Sequence, residues 1–336
     1  MKKDIYILGI ETSCDDTSIS IVKNGTEVLS NVVWNQNKTH EKFGGIVPEL
    51  GARRHLQVIN FVLEEALHDA EISLQEISAI AVNNQKGLIR SLVVGVSAAK
   101  ALAFSLNIPI ISVHHIEGHI YSNILSHKNL DFPHLCLTVS GGHNLLVIVN
   151  NHFNYEVIGN TLDDAAGEIF DKVARHLGLG FPGGPVIDKL SKEGDSKKYN
   201  FARPMLDQEN FDFSFSGLKT EATRVYEKVR NNQDFKLEDF VASFQQAVVD
   251  TLIGKSFKAL KHYNLNTISI VGGVSANNKL REDFLKYSLK YGYQVYFPEM
   301  KLTTDNAAMI ASVGYFKFIN QQFDSLNLEV FTNNPL

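Results

Sequence analysis

The chain has 336 residues, of which 44% are apolar and 21% are charged, and its formal net charge is −5. This composition is typical of a globular protein that is long enough for two lobes, each with its own core. The small negative charge excludes a protein that binds nucleic acid over its whole surface, so an RNA contact requires a local basic surface or a partner.

Three apolar stretches at the start of the chain, at 5–10, 18–22 and 28–34, are joined by polar turns and are predicted to be strands. The segment 47–70 is predicted to be a helix, because Leu56, Ile59 and Leu63 recur at steps of three and four residues. A strand, a helix, a strand and a helix are then predicted at 78–82, 91–106, 108–113 and across 113–123.

The pattern restarts at Leu135. Strands are predicted at 135–140, 144–149 and 155–160, then helices at 163–177, 216–232 and 236–262, a strand at 267–271, and helices from Ser275 and from Asp305. Because three strands followed by alternating helices and strands occur twice, we predict a duplicated α/β protein with helices on both faces of each sheet. Two such lobes are expected to leave a cleft between them. The polar, Phe-rich segment 192–215 is predicted to be an inserted loop.

Cysteine content and hydropathy restrict the cellular setting. The two cysteines, Cys14 and Cys136, form neither a disulfide framework nor a zinc motif. No apolar run reaches membrane-spanning length, and the apolar stretch at the N-terminus is too short for a signal peptide. We therefore expect a cytoplasmic protein that makes no membrane contact.

The stretch VHHIEGHIYSN, residues 113–123, carries a histidine pair at helical spacing. Because successive helical residues turn by about 100°, His115 and His119 point the same way, which suits a divalent metal. The alternative is that the pair caps or packs the helix. Glu117 falls roughly opposite, and Ile116 occupies the place where a zinc protease needs its glutamate, which argues against that class. His114 is predicted to end the preceding strand.

A third metal ligand is available in TTDNAAMIA, residues 303–311. Asp305 directly precedes an Ala-rich helical run, where an aspartate is ordinarily an N-cap that accepts backbone N–H groups. From spacing alone, capping is the favoured interpretation of Asp305 and metal ligation is the alternative.

Glycine-rich turns follow several of the predicted strands. In the turn SGGH, Gly141 and Gly142 are expected to adopt positive φ and to expose N–H groups to a phosphate, although a plain hairpin turn would have the same sequence. In VGGVSANNKLRE, residues 271–282, a helix opened by Ser275 is expected to hold a phosphate or to be an ordinary connection. Asp171 and Asp188 flank a Gly- and Pro-rich turn that lets two helices present carboxylates at one site, unless both are solvated surface charges.

Taken together, these motifs resemble a known family, the universal tRNA threonylcarbamoyladenosine transferases in their bacterial form. The matching segments are GIETSCDDTS, GGIVPELGARRH, HHIEGH, VSGGHNLL, DDAAGEIFDKVAR, GFPGGP, FSFSGLKT, GGVSANNKLR and TDNAAMIA, in this order over nearly the whole chain. The resemblance implies an actin/Hsp70/sugar-kinase-like (ASKHA) fold with two duplicated ribonuclease H-like lobes and a central cleft. The N-terminal lobe would comprise 1–134 plus 305–336, with the metal histidines and partner-facing helices, and the C-terminal lobe 135–304, with the nucleotide turns and the 192–215 loop.

The resemblance also implies the reaction. The threonylcarbamoyl group of threonylcarbamoyl-AMP is transferred to the exocyclic amine of the tRNA adenosine 3′ of the anticodon, position 37 in tRNAs that read ANN codons, and AMP leaves. No residue is assigned as a covalent nucleophile. Cys14 and Ser140 are the candidates, and small-residue packing is the favoured role of both.

The implied site residues fall into four groups. One divalent metal, Fe²⁺ first and Zn²⁺ or Mg²⁺ as alternatives, would be held by His115, His119 and Asp305. Threonylcarbamoyl-AMP, or ATP or ADP, would be bound by Thr138, Val139, Ser140, Gly141, Gly142, Asp171, Gly184, Asp188 and Asn277. Glu11 would lie near the phosphates, and Arg53, Arg54, Lys219 and Arg224 are candidate contacts to tRNA phosphates.

The implied partners are tRNA, a paralogous non-catalytic dimer subunit (TsaB-like), a small ATPase (TsaE-like) and, functionally, the threonylcarbamoyl-AMP synthase (TsaC-like). The amphipathic helices near 47–67 and 91–106 are the candidate paralogue contact, although packing against their own sheet accounts for much of their apolar surface.

One segment departs from the family pattern. Family members carry a Pro-Gly-Leu turn in a Gly-rich loop, and in AVNNQKGLIRSLVVG only Gly87 and Leu88 of that turn remain. Lys86 replaces the proline, and Gln85 and Arg90 replace glycines, so the loop should have different conformational limits. The change is either harmless or alters activity, and the second possibility leaves a catalytically weakened paralogue or scaffold subunit as an alternative function. A sugar kinase or chaperone ATPase, with Asp15 or Asp16 near the phosphates, is a further alternative, but no HxxxH is expected there.

Overall fold

The computed structural model of the chain describes residues 4–336. Two compact units are present, the first formed by Met1–Leu130 with Pro298–Leu336 and the second by Asp131–Phe297. The lobe limits predicted from the sequence lie at 134/135 and 304/305. The roles assigned to the two lobes stay predictions.

The residues that the structure describes form ten β-strands and ten α-helices, besides short 3₁₀ turns. The strands are β1 (Tyr6–Glu11), β2 (Thr17–Lys23), β3 (Glu27–Trp34), β4 (Ala79–Gln85), β5 (Ile110–His114), β6 (His134–Val139), β7 (Asn144–Asn151), β8 (Asn154–Asn160), β9 (Thr267–Val271) and β10 (Gln294–Tyr296). The helices are α1 (Asn37–Glu41), α2 (Pro48–Ala70), α3 (Ile89–Leu106), α4 (His115–Ser126), α5 (Ala166–His176), α6 (Gly183–Leu190), α7 (Ser216–Val229), α8 (Leu237–His262), α9 (Asn278–Tyr291) and α10 (Ala307–Ile319).

The two sheets have the same topology. The first has the strand order β3-β2-β1-β4-β5, and the second has the equivalent order β8-β7-β6-β9-β10. In each, the first three strands form an antiparallel meander, the fourth strand pairs in parallel with the first, and the fifth pairs in parallel with the fourth. The predicted α/β class and the predicted duplication are therefore confirmed.

The first unit is built around β1, which lies at the centre of its sheet and is buried on both faces. Leu8 and Ile10 pack into a core formed with α2 and α3. On the other face α10 lies so close that a Cβ atom at Gly9 would stand 2.3 Å from the carbonyl oxygen of Ala307. Only glycine fits such an approach between helix and strand. This packing fixes the start of α10, and with it Asp305, in the first unit.

The second unit has an aromatic core. Phe170 on α5 and Phe240 and Phe244 on α8 pack with Phe201, with ring centroids of Phe201 and Phe240 5.4 Å apart. Phe201 belongs to the segment 192–215, whose other phenylalanines, Phe211, Phe213 and Phe215, are also buried. The segment is largely irregular, as predicted for a loop, but its aromatic side chains are part of the core.

The two helix starts predicted at Ser275 and Asp305 are wrong. Residues 273–276 form a 3₁₀ turn, and α9 begins at Asn278, capped by Asn277, whose Oδ1 accepts the Leu280 N–H at 2.9 Å. The last helix begins at Ala307. The elements α1 and β10 were not predicted, because five and three residues are too few to show a period.

One helix among the described residues, α3, is long and apolar enough to cross a membrane by length and composition. Its residues Leu92, Val96, Ala99 and Ala103 are buried in the core of the first unit. Core helices of globular proteins commonly have this composition.

Candidate functional site

The histidine pair lies at the junction of β5 and α4, which has no connecting loop. His114 ends the strand, as predicted, and its Nδ1 accepts the N–H of Ile116 at 3.1 Å. Its Nε2 donates to the carbonyl oxygen of Asn334 at 3.0 Å. The next residue, His115, starts the helix, and His119 follows one turn later. Their ring centroids lie 4.7 Å apart, so the predicted shared face is confirmed.

Asp305 reaches the same place from the segment that precedes α10. Its Oδ1 lies 3.2 Å from Nε2 of His119 and 3.5 Å from Nε2 of His115. One ligand atom from each of the three residues lies within 4.8 Å of the others. The capping interpretation of Asp305 is wrong, because the cap is the next residue: Oδ1 of Asn306 accepts the N–H of Met309 at 3.1 Å.

The environment of His119 fits a metal ligand. The residue is fully buried, and neither ring nitrogen has a hydrogen-bond partner among residues 4–336, since the approach to Asp305 lacks hydrogen-bond direction. A buried polar group without a partner costs about 1–3 kcal/mol. Two imidazoles and a carboxylate are a donor set that suits Fe²⁺ and Zn²⁺. The three residues therefore form a possible metal-binding triad.

The carboxyl groups of Glu11, Asp15 and Asp16 lie close enough to this triad to interact with it electrostatically. Burial, with the nearby Asp15 and Asp305, raises the pKa of Asp16 to about 8. Burial by itself would lower the pKa of His115, but the carboxylates of Asp305 and Glu11 outweigh it and raise that pKa to about 9. The excess of negative charge favours a bound cation or proton at this position.

Glu117 points elsewhere. Its Oε2 forms a buried ion pair with Nζ of Lys317 at 2.9 Å. The glutamate therefore does not serve the histidine pair, which agrees with the sequence argument against a zinc protease. Cys14, the nucleophile candidate in this unit, is unsuited to covalent chemistry, because burial and the neighbouring Asp15 raise the pKa of its thiol well above the usual value.

Glu11 ends β1, and its side chain lies beside His115 and not at the exposed surface. Its Oε2 lies 3.3 Å from Nδ1 of His115 and accepts a hydrogen bond from Nδ2 of Asn83 at 2.8 Å. Ser13 also approaches Nδ1 of His115, at 3.3 Å. Asn83 and Ser13 were missed from the sequence, since nothing in their spacing relates them to the histidines.

The segment that departs from the family pattern follows β4. Lys86 adopts φ 68°, and its N–H donates to the carbonyl oxygen of Phe331 at 2.9 Å. A proline at this position would have neither the φ nor the N–H. Phe331 in turn donates to the carbonyl oxygen of Asn84, so the C-terminal segment pairs with the end of β4. The second added charge, Arg90, is neutralised by Glu49 at 2.7 Å.

The turn between β6 and β7 contains Ser140, Gly141 and Gly142. The N–H of Ser140 donates to the carbonyl oxygen of His143 at 2.9 Å, and the two glycines are exposed with open space at their Cβ positions. Neither glycine adopts positive φ, so that expectation was wrong and the turn does not require glycine for its backbone conformation. Thr138 and Val139 are buried in β6, directly before the turn.

Asp171 and Asp188, which were expected to share one site, accept hydrogen bonds from the first residues of two different helices. Oδ1 of Asp171 accepts the N–H of Gly183, the first residue of α6, at 2.7 Å. Oδ2 of Asp188 accepts from the backbone and side chain of Asn278, the first residue of α9. Oδ1 of Asp188 is buried without a partner in the described part of the chain. Asn277 directly precedes Asn278 and donates from Nδ2 to Oε1 of Gln245 at 2.8 Å, and a Cβ atom at Gly184 would meet open space.

The four basic residues predicted to bind tRNA lie on α2 and α7. Arg53 pairs with Glu49 at 3.0 Å, and Arg54 donates to Oε1 of Gln57 at 3.0 Å. Lys219 pairs with Asp164. Arg224 lines an open pocket together with Ser216 and Thr220.

Solved structures define the class of fold. The chain superposes on component A of the (R)-2-hydroxyglutaryl-CoA dehydratase from Acidaminococcus fermentans with a TM-score of 0.58 at 15% identity, over 93% of this chain and 98% of that chain. At this identity the likeness concerns the fold alone. It confirms the duplicated ASKHA-type fold that the resemblance implied.

Sequence comparison then defines the family. The family model for tRNA N6-adenosine threonylcarbamoyltransferase (TsaD) matches residues 27–312. A protein of that name from Caldicellulosiruptor saccharolyticus is 50% identical over 96% of this chain and 95% of its own length. Another, from Syntrophomonas wolfei, is 46% identical over 98% of this chain and 97% of its own length. The chain belongs to the tRNA N6-adenosine threonylcarbamoyltransferase family, as its motifs predicted.

Proposed function

We propose that the protein transfers the threonylcarbamoyl group from threonylcarbamoyl-AMP to the exocyclic amine of the tRNA adenosine 3′ of the anticodon. In this step the amine nitrogen bonds to the carbonyl carbon, and the bond from that carbon to the phosphate oxygen breaks. AMP leaves, and the amine gives up one proton to water. The observation that carries the proposal is the convergence of His115, His119 and Asp305 in a chain of this family.

His115, His119 and Asp305 would hold one divalent metal, Fe²⁺ first, with Zn²⁺ and Mg²⁺ as alternatives. When bound, the metal would orient the threonylcarbamoyl group and polarise its carbonyl. The support lies in the donor set and in the buried His119, both of whose nitrogens lack partners in the described residues. Mg²⁺ ranks last because two of the three ligands are imidazole nitrogens and this ion prefers oxygen ligands.

The second unit would bind the adenylate, or ATP or ADP. The exposed N–H groups of the 140–142 turn would donate to the phosphate or to the developing oxyanion. Asp188 offers a buried carboxylate oxygen without a partner in the described chain, which a ligand hydroxyl would satisfy. The remaining proposed adenylate-binding residues are Thr138, Val139, Asp171, Gly184 and Asn277.

The proposed RNA contacts are Arg53, Arg54, Lys219 and Arg224. The target adenosine lies in a loop of tRNA, where a base can leave its stack and enter a protein site. Since Arg53 and Lys219 are paired with carboxylates, phosphate binding by either would exchange one ionic partner for another. Each phosphate contact would make tRNA binding weaker as salt rises.

The proposed protein partners are the paralogous TsaB-like subunit, the TsaE-like ATPase and, functionally, the TsaC-like synthase, in the cytoplasm. Leu56 and Phe61 on α2 and Phe104 on α3 are 70%, 70% and 75% exposed, which supports these two helices as the contact to the paralogue. Apolar side chains this exposed are typical of protein interfaces when they form a patch.

The alternative of a catalytically weakened paralogue is not favoured. The relatives are named as the transferase, and a non-catalytic paralogue would be expected to lack the three residues of the triad. The changed loop at Lys86 is accommodated by its own hydrogen bond to the C-terminal segment.

The test is reconstitution with the proposed partners, unmodified tRNA, threonine, bicarbonate and ATP, followed by mass analysis of the tRNA nucleosides. The wild type should form threonylcarbamoyladenosine, and the double variant His115→Ala, His119→Ala should not. His176→Ala is the matched control. This histidine pairs with Glu227 and belongs to the second unit, whereas the three triad residues belong to the first. Full modification by the double variant would refute the role of the metal.

A further inference from the structure

The second ring nitrogen of His115, Nδ1, lies in a buried polar cluster that the proposed metal site leaves unexplained. Glu11, Ser13 and Asn83 approach this nitrogen, with Glu11 Oε2 at 3.3 Å, Ser13 Oγ at 3.3 Å and Asn83 Nδ2 at 3.2 Å. Glu11 and Asn83 are fully buried, and Ser13 nearly so. These groups decide where the imidazole carries its proton, since no others are recorded beside Nδ1 among the described residues.

The carboxylate of Glu11 is held in place from two sides. Its Oε1 accepts the N–H of Ser13 at 2.5 Å, and its Oε2 accepts from Nδ2 of Asn83 at 2.8 Å. The amide of Asn83 is itself oriented, because its Oδ1 accepts the N–H of Gln85 at 3.1 Å. Asn83 therefore presents only donors to Glu11 and His115.

The Ser13 hydroxyl can donate or accept, so the two groups that compete for Nδ1 of His115 are the Glu11 carboxylate and the Asn83 amide. A proton on Nδ1 would be donated to the Glu11 carboxylate, whereas an unprotonated Nδ1 would accept from the Asn83 amide. A hydrogen bond to an ionised acceptor is roughly twice as strong as one between neutral groups, so the hydrogen bond from Nδ1–H to the Glu11 carboxylate is the favoured one. Glu11 therefore retains the proton on Nδ1, so the nitrogen that gives up its proton when a cation binds is Nε2, which lies 3.5 Å from Asp305.

We propose that Glu11 is a positioning residue that holds His115 in the tautomer and ring orientation required of a metal ligand at Nε2. The inference rests on the proposed function, because it concerns one ligand of the proposed metal. It also gives Glu11 a role that its burial permits. A fully buried carboxylate with hydrogen bonds on both oxygens is poorly placed to bind a phosphate, whose charge has the same sign.

The experiment measures metal binding by the full chain, with Co²⁺ as the probe. Glu11→Gln keeps the shape of the side chain but removes the charge, so Nδ1 should accept from Asn83 and the proton should move to Nε2. Co²⁺ titration followed by the visible absorption band should then give an affinity about 10–100-fold lower than in the wild type. In the Zn²⁺-loaded wild type, proton NMR should show a slowly exchanging Nδ1–H resonance of His115 that Glu11→Gln loses or shifts.

Asn83→Ala separates positioning from general damage to the cluster. This variant removes the competing donor and one support of the carboxylate, but the Ser13 N–H and the imidazole still hold Glu11, so its Co²⁺ affinity should fall much less than that of Glu11→Gln. Equal Co²⁺ affinity in Glu11→Gln and the wild type, with the same Nδ1–H resonance, would overturn the inference. So would an affinity loss in Asn83→Ala as large as that in Glu11→Gln. If Glu11→Gln does not fold, the Nδ1–H resonance of the wild type and the Asn83→Ala titration still decide.

The failure of the proposed metal site would be recognised separately. If the wild type bound no Co²⁺, or bound it equally well after His119→Ala, the metal itself would be excluded from this triad. Wild-type binding that depends on His119 but not on Glu11 would overturn only the positioning role.

Discussion

The Oδ1 atom of Asp305 lies 3.2 Å from Nε2 of His119, a buried imidazole on α4. The two residues come from distant parts of the sequence and meet because α10 packs against α4 and β1. Because no directed hydrogen bond joins these two atoms, they are well placed to coordinate the same metal ion.

His119→Ala should therefore abolish metal binding at the triad. Loss of a direct ligand should lower Co²⁺ affinity by more than about 100-fold, because loss of an outer partner of a ligand already costs about 10–100-fold. Metal content of the purified protein and equilibrium dialysis with Co²⁺ measure the effect. His176→Ala is the control and should bind metal as the wild type does. Normal metal content in His119→Ala would exclude the triad.

The loop at Lys86 should reject the proline that family members carry. Lys86→Pro would force φ to about −65° and remove the N–H that donates to Phe331, so unfolding free energy should fall by more than about 1 kcal/mol. Lys86→Gly is the matched control, since glycine keeps the N–H and adopts φ 68° without strain. Urea unfolding compares the variants. Equal stability of the proline and glycine variants would show that the loop adopts another conformation in solution.

The turn at 140–142 should depend on the absence of a side chain at Gly167. A Cβ atom there would stand 2.6 Å from the carbonyl oxygen of Ser140, so Gly167→Ala should shift the turn and cost about 1–3 kcal/mol of stability. Calorimetry should show weaker ADP binding if this turn binds phosphate. In the control Gly217→Ala, the new methyl group meets open space on α7, and the helix should be stabilised by up to about 1 kcal/mol. Indistinguishable ADP affinities in the two variants would argue against a phosphate role for the turn.

Stability of the second unit should fall in mild acid because of His134. Burial lowers the pKa of His134 to about 4, and the imidazole stacks on Phe132 with no partner for Nε2 among residues 4–336. The unfolded chain takes up a proton near pH 6.5, whereas the folded chain does so only near pH 4. The neutral histidine is thus compatible with the fold above pH 6.5, and up to about 3 kcal/mol of stability is lost as the pH falls from 6.5 to 4.

His134→Gln tests this dependence, because glutamine does not titrate. The difference in unfolding free energy between wild type and variant, measured by urea unfolding at several pH values, should diminish as the pH falls through that range. A difference that stays constant with pH would show that His134 does not lose its proton on folding.

The sequence was sufficient to predict the family, the fold class and the face shared by the two histidines. The strands are short apolar runs that are bounded by polar turns, and His115 and His119 are one helical turn apart. These relationships depend on residues close together in the chain, where period and spacing carry the information.

The remaining relationships required tertiary structure. Asp305 and Asn306 are both good N-cap residues, and only the packing of α10 shows that the second one caps the helix. Glu11, Ser13 and Asn83 meet at His115 because β1 and β4 are neighbours in the sheet. No period in the sequence reports such a meeting. The predicted substrate and RNA contacts stay predictions.

The first unit is interrupted in sequence by the whole of the second, and this arrangement sets an order of events during protein synthesis. A nascent chain that ends at residue 297 contains both histidines but neither Asp305 nor the helix that covers β1. The second unit is continuous and can fold on the ribosome as soon as it emerges, as domains generally do. The three-residue triad is then completed only when the last part of the chain has left the exit tunnel, so a prematurely terminated chain exposes an uncovered sheet and lacks a complete cation site.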